Sequence, residues 1–194
     1  MNRKLKILIS GGGTGGHIFP AIAIANAIKE KQPDVEIQFV GALGRMEMEK
    51  VPLAGFPITG LWISGFQRKL TIRNLSFPAK VLSSIIKANR IITMFNPDIV
   101  IGTGGYASGP LLYVASKKKI PTLIHEQNAF PGVTNKLLAK SVTKVCVSYP
   151  EMEKYFPNEK IVITGNPIRK EIQNLTPTKK ESLEFFNLKQ TKKT

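Results

Sequence analysis

The sequence predicts an α/β fold, a Rossmann-like parallel sheet with helices on both faces. Short apolar runs alternate with amphipathic stretches, four of the runs end in glycine-rich or polar turns, and no internal repeat breaks the alternation. Of the 194 residues, 42% are hydrophobic and 21% charged, which allows a buried core and excludes wholesale disorder.

The first strand falls at residues 5–10 and ends in Gly11-Gly12-Gly13-Thr14-Gly15-Gly16. A helix over 17–31 follows, because Ile18, Ala21, Ile22, Ala25 and Ile28 recur at helical spacing. Further apolar runs put strands at 37–40, 58–63, 99–101, 122–124, 145–147 and 161–163. Helix-like segments occupy 45–53, 75–93, 113–118, 134–140 and 151–155. After Arg169 the apolar runs stop. Thr178 and Glu181 then stand at capping-box spacing and begin a helix that reaches about Asn187. The expected division is a Rossmann-like domain at 1–170 and a helix with linker at 171–194, leading toward a further domain.

A lone cysteine, Cys146, excludes an intrachain disulfide and a cysteine-built zinc site, in keeping with a reducing compartment. No run approaches the ~18 apolar residues that span a bilayer, and the apolar stretch at 7–9 is too short for a signal peptide. A cytoplasmic chain is expected. Its net charge is +15, unevenly placed, with 12 basic and 2 acidic residues in 51–150, the acids being Asp98 and Glu126. Such a field favours a polyanionic partner: nucleic acid, an anionic membrane surface or a phosphorylated substrate.

The first glycine run lies between a strand and a helix, where amide groups approach a phosphate and the helix N-terminus favours negative charge. Gly11, Gly13 and Gly16 satisfy the dinucleotide fingerprint, but that use needs an acidic residue at the end of the second strand, where the chain reads Gly41-Ala42-Leu43. The P-loop pattern also fails, since no Lys-Ser or Lys-Thr closes the turn. Three more turns follow apolar strands: Gly102-Thr103-Gly104-Gly105-Tyr106-Ala107-Ser108-Gly109-Pro110, His125-Glu126-Gln127-Asn128 and Thr164-Gly165-Asn166-Pro167-Ile168-Arg169. All four turns therefore belong on the carboxyl edge of one parallel sheet, where α/β ligand sites lie.

Gly-Gly-Thr-Gly-Gly-His at 12–17, Gly-x-Gly-Gly-Tyr-x-Ser-Gly-Pro at 102–110, His-Glu-Gln-Asn at 125–128 and Gly-Asn-Pro-Ile-Arg at 165–169 resemble the MurG family. These glycosyltransferases of family 28 move N-acetylglucosamine from UDP-N-acetylglucosamine to the muramoyl sugar of undecaprenyl-pyrophosphoryl-N-acetylmuramoyl-pentapeptide (lipid I). The product is lipid II of peptidoglycan synthesis. The resemblance covers about residues 5–170. It implies the N-terminal half of a GT-B fold, an inverting reaction, no cofactor, and a peripheral position on the cytoplasmic face of the plasma (inner) membrane. By motif, Thr14, Gly15, Gly16, Asn128 and Arg169 fall on the UDP-sugar side of the cleft, while Gly13, Gly104, Gly105, Tyr106 and Ser108 receive the acceptor's pyrophosphate. An imidazole titrating near neutrality suits a general base. His17 is therefore the preferred catalytic base, with Glu126 as the competing base or as a binder of acceptor hydroxyls. No metal is expected, because a diphosphate at two helix N-termini needs none and the Asp-x-Asp of other glycosyltransferases is missing; the aspartates are Asp34 and Asp98. The half without a donor domain is expected to be inactive alone.

Residues 66–97 carry Arg68, Lys69, Arg73, Lys80, Lys87 and Arg90 without a carboxylate, interleaved with apolar residues such as Leu75, Val81, Leu82 and Ile85. A basic amphipathic helix of this kind suits an anionic membrane surface, met through Arg68, Lys69, Arg73, Leu75, Lys80 and Leu82. Its bland counterpart is a core helix with a solvated basic face. Nucleic acid is not expected as a partner, since no RNA-binding aromatic signature, zinc finger or helix-turn-helix accompanies the charge. An alternative function is a non-catalytic Rossmann-like module that binds a polyprenyl-phosphate ligand or an anionic membrane. The pair His17 and Glu126 separates the two, because a pure binder needs no base.

Overall fold

The structure, a computed structural model, describes residues 3–65, 76–173 and 177–188. Seven strands form one parallel sheet: β1 (Lys6–Ser10), β2 (Glu36–Ala42), β3 (Ile58–Leu61), β4 (Ile99–Gly102), β5 (Thr122–Glu126), β6 (Lys144–Val147) and β7 (Ile161–Ile163). Their spatial order is β3-β2-β1-β4-β5-β6-β7. The helices are α1 (Gly15–Lys31), α2 (Glu47–Leu53), α3 (Phe77–Phe95), α4 (Ser108–Lys117), α5 (Val133–Leu138), α6 (Lys170–Gln173) and α7 (Lys179–Phe185).

Side chains of a strand alternate between faces, and β1 feeds both. Ile7 and Ile9 join Phe39, Ile18, Ala21 and Val51 on the side of α1 and α2. Leu8 joins Val100, Ile92, Leu111 and Leu112 on the side of α3 and α4. Each fully buried side chain of this size contributes ~1.5–3 kcal/mol. A strand buried on both faces reads as a continuous apolar run, which is why these strands are visible in sequence without their faces being so. The α1 side thins toward β7, where Leu123, Cys146 and Val162 stay partly exposed.

Several elements differ from expectation. Helix α4 opens at Ser108, five residues ahead of the predicted 113, although Gly109 and Pro110 follow. A proline in the first turn is tolerated, because its missing N–H is one that a helix start leaves unpaired anyway. Strand β3 stops at Leu61, two residues short. The predicted helix at 151–155 is a single 3-10 turn, Met152–Lys154, entered through Glu151 in the left-handed region at φ 58°.

The strand order reverses between β1 and β4, which are neighbours with Ser10 opposite Gly102. A crevice opens at such a switch point outside the carboxyl ends of the strands. The two glycine turns follow these two strands and touch: the Gly12 amide donates to Gly104 O at 3.3 Å. Gly105, at φ 90°, is so close that a Cβ there would lie 2.2 Å from Gly12 O. Gly105→Ala therefore carries the ~1–3 kcal/mol of a strained backbone plus an overlap with Gly12, whereas Gly44→Ala, at φ 70° with open space around it, carries the backbone part alone. In urea unfolding, the midpoint should fall further for Gly105→Ala. Equal losses would mean that the two turns do not touch.

Candidate active site at the glycine turns

Thr14 opens α1, its carbonyl accepting from His17 N and Ile18 N at 3.1 Å each. The amides of Gly15 and Gly16 begin the helix with no preceding turn to bond to, and no acidic residue stands in the first turn of α1 or of α4. Neither helix start thus carries an acid of its own against its positive end. His17 is half-buried, with Nδ1 3.1 Å from Gly12 O and 3.2 Å from Thr14 Oγ1. A carbonyl only accepts, so Nδ1 carries the ring proton and Nε2 keeps the lone pair. The Nε2 edge lies against Gly104, where a Cβ would come within 2.8 Å of it.

The second turn is fastened to the first by side chains. Thr103 Oγ1 donates to His17 O at 2.7 Å. Ser108 Oγ lies 2.9 Å from both Ser10 O and Gly104 O and is fully buried, so its hydroxyl faces the turn and not the crevice. Tyr106, by contrast, is exposed, and its ring stands over Gly13 and Gly65. A Cβ on Gly65 would sit 2.2 Å from the ring.

The loop after β5 is organised by Glu126. Its carboxylate is buried and accepts four hydrogen bonds: Asn128 N and Nδ2 at 3.1 Å, Gly132 N at 3.0 Å and Asn135 Nδ2 at 2.9 Å. Beside it, Gln127 Nε2 reaches Thr103 O at 3.0 Å and His125 Nδ1 at 3.1 Å, while His125 Nε2 meets Gly165 O at 3.0 Å. Burial pushes the His125 imidazole below its ordinary range, against the raising influence of Gly165 O and the Glu126 charge. Ser148 Oγ, 2.7 Å from Asn166 Oδ1, links this loop to the turn after β7. From that turn the Arg169 guanidinium lies 4.4 Å above the Phe19 ring, which itself packs on Gly15.

The start of α1 thus gathers Thr14, Gly15, Gly16, His17, Gly104, Gly105, Tyr106 and Arg169, while Asn128 is held at the β5 loop. Two buried polar residues outside the quoted motifs complete the scaffold. Asn135, on α5, bonds His125 O and Glu126. Glu47, on α2, accepts from Gly13 N and Ala42 N at 2.9 Å each. Neither has a local signal in the sequence, and only their buried positions reveal them.

Of the predicted membrane residues, Arg68, Lys69, Arg73 and Leu75 lie outside the described residues. Lys80 folds back, donating to Ser64 Oγ at 3.0 Å with its ammonium 5.7 Å from the Trp62 ring. Leu82 is exposed, as are Ile86, Lys87 and Arg90 farther along α3. A cavity of about 760 Å³ lies between this helix and Gln38 and Thr59 of β2 and β3, away from the glycine turns. No helix among the described residues is long and apolar enough to cross a membrane.

Residues 7–147 match the glycosyltransferase family 28 N-terminal domain. The chain belongs to this family. The enzyme of Cytophaga hutchinsonii named UDP-N-acetylglucosamine--N-acetylmuramyl-(pentapeptide) pyrophosphoryl-undecaprenol N-acetylglucosamine transferase is 59% identical over 187 residues, 96% of this chain and 51% of that protein. Its namesake in Christiangramia forsetii is 54% identical over 194 residues, all of this chain and 53% of the relative. The crystal structure of MurG from Acinetobacter baumannii superposes with a TM-score of 0.72 at 30% identity, covering 90% of this chain and 50% of that one. The chain spans about half the length of the relatives it matches. Its seven-stranded Rossmann-like sheet is the predicted one.

Two outcomes follow for this family 28 domain. Glu126→Ala leaves four donors without their acceptor, and a buried unsatisfied polar group costs ~1–3 kcal/mol. An overall loss of ~2–4 kcal/mol is expected in urea unfolding, less in Glu126→Gln, which keeps one oxygen. His125 binds its proton less readily folded than unfolded, so the unfolded state holds more protons just below the ordinary imidazole range. Stability should therefore drop as pH falls through about 6.5, and the drop should vanish in His125→Asn. An unchanged pH profile in that variant would assign the slope to other groups.

Proposed function

We propose that the chain is the acceptor- and membrane-binding half of an inverting transferase that moves N-acetylglucosamine from UDP-N-acetylglucosamine to the muramoyl sugar of lipid I, forming lipid II. The family and the names of relatives above 50% identity support the reaction class. The observation that carries the chemistry is His17, whose Nδ1 is bonded to a carbonyl and whose Nε2 makes no hydrogen bond among the described residues.

His17 Nε2 takes the proton of the attacking sugar hydroxyl as that oxygen bonds to the anomeric carbon of N-acetylglucosamine. The bond from that carbon to the phosphate oxygen breaks on the opposite face, and UDP leaves with the electron pair. Glu126 is the weaker base candidate, because both its oxygens are already engaged by four donors. Its role in this reading is to hold Asn128 for the donor sugar nucleotide, with Thr14, Gly15, Gly16 and Arg169. The acceptor diphosphate lies at the starts of α1 and α4, beside Gly104, Gly105 and Tyr106. Ser108 shapes that turn from behind, and Gly13 contributes its conformation at φ 83° while its amide is held by Glu47.

Membrane attachment at the cytoplasmic face uses α3, where Leu82 and Ile86 are exposed beside Lys87 and Arg90. Each basic residue near an anionic surface contributes ~1 kcal/mol, screened over ~8 Å at physiological salt. In co-sedimentation with phosphatidylglycerol vesicles, Lys87→Glu/Arg90→Glu should bind less, and all binding should weaken with salt. Binding that neither the variant nor salt changes would return α3 to a packing role.

The chain alone should release no UDP from UDP-N-acetylglucosamine and a lipid I analogue. Joined to the second half of the Cytophaga hutchinsonii relative it should, and there His17→Ala should cut turnover by ~10²–10⁴-fold with little change in melting temperature. Full turnover by that variant would remove His17 from the base role and return it to Glu126, whereas no turnover by the unmutated chimera would favour a domain that only binds.

A further inference from the structure

We infer that Glu47 is a positioning residue for His17, acting through the single peptide unit between Gly12 and Gly13. Glu47 is completely buried, and no salt bridge joins it to a cation among the described residues. Its carboxylate bridges two segments far apart in sequence: Oε1 accepts from Ala42 N at the end of β2, and Oε2 accepts from Gly13 N, each at 2.9 Å. The space it fills explains two glycines. A Cβ on Gly12 would lie 2.1 Å from Glu47 Oε1, and one on Gly41 would lie 2.5 Å from its Cγ.

A trans peptide is planar, with its N–H and C=O pointing in opposite directions. When Glu47 captures Gly13 N–H, the Gly12 carbonyl of the same unit must point the other way. There it meets His17 Nδ1 at 3.1 Å. The bond obliges Nδ1 to carry the proton and leaves the lone pair on Nε2. Glycine at 12 and at 13, the latter at φ 83°, would otherwise let this unit rotate. A carboxylate on the N–H also polarises the peptide and strengthens its carbonyl as an acceptor, as in any hydrogen-bonded chain. Glu47 thus sets the ring tautomer from beneath the turn without touching the ring.

This role matters to catalysis only if His17 is the base proposed above, but its test needs no turnover. Ring nitrogen NMR shifts of His17 in the 194-residue chain, recorded well above the ordinary imidazole pKa, report the two neutral tautomers directly. The Nδ1–H form should dominate in the wild type. Glu47→Met removes both acceptor oxygens, and the ratio of Nδ1–H to Nε2–H should fall by roughly 2–10-fold, the change that one net hydrogen bond makes in an equilibrium. Val142→Ala, a core cavity elsewhere, should lower stability and leave the ratio alone. An unchanged ratio in folded Glu47→Met overturns the inference while leaving the base role to the kinetics of His17→Ala. Should Glu47→Met not fold, amide exchange in the wild type decides: the Gly13 amide should exchange at least ~10-fold more slowly than that of Gly16. Comparable rates would overturn the inference equally.

Discussion

Two backbone turns must approach within hydrogen-bond reach at the point where the strand order reverses, and the rest of the site depends on that approach. The Gly12 amide reaches Gly104 O only because positions 12, 104 and 105 carry no side chain; a Cβ at any of them would overlap the opposite turn or its supports. Each turn then acts as a surface for the other. Thr103 fastens the start of α1, Ser108 fastens the end of β1, and the His17 ring lies along Gly104.

Such a site has two layers of polar residues with opposite duties. The outer layer, with the amides of Gly15 and Gly16, His17 Nε2 and Tyr106, is left without internal partners among the described residues or is open to solvent. The inner layer, with Glu47, Glu126, Gln127, Ser108 and Asn135, is buried and bonded to backbone. Buried carboxylates are costly unless their lone pairs are filled. Glu126 meets this with four donors and Glu47 with two backbone amides, so each holds the loop around it in one conformation. Rigidity beneath and open valence above is the arrangement that a preorganised site needs.

The division between these layers marks what the sequence could and could not reveal. Strands were legible because two-sided burial writes them as unbroken apolar runs, and the turns because glycine has few other reasons to cluster. Ser108 and Glu126 were legible as members of motifs, but a motif does not say whether a hydroxyl or carboxylate faces ligand or backbone. Both face backbone. Glu47 was illegible, because a carboxylate at the start of a short helix matches an ordinary solvated residue in every local respect. Its duty arises from contact with a turn 34 residues away, measured to Gly13. The start of α4 was misplaced for a related reason: Gly109 and Pro110 break a helix interior, but in a first turn they remove nothing that the helix uses.

The same distinction governs charge. Residues 51–150 hold 12 basic residues against Asp98 and Glu126. Asp98 accepts from Lys6 N and pairs with Arg3, each at 2.8 Å, and Glu126 is enclosed by its four donors. Both carboxylates in this stretch are therefore engaged within the fold, while cations such as Lys87, Arg90, Lys117 and Lys140 stand exposed. The long-range field of this region follows the sum of that count, since hydrogen bonds from neutral donors and ion pairs leave the sum unchanged. Fields of this sort gather anions over a Debye length of ~8 Å but do not orient them. In the proposed function, orientation falls to the amides at the starts of α1 and α4, whose dipoles act within a single turn. Collection by side-chain charge and alignment by backbone dipole are separable steps, and the proposed function assigns them to separate parts: the α3–α5 side to the first, the glycine turns to the second.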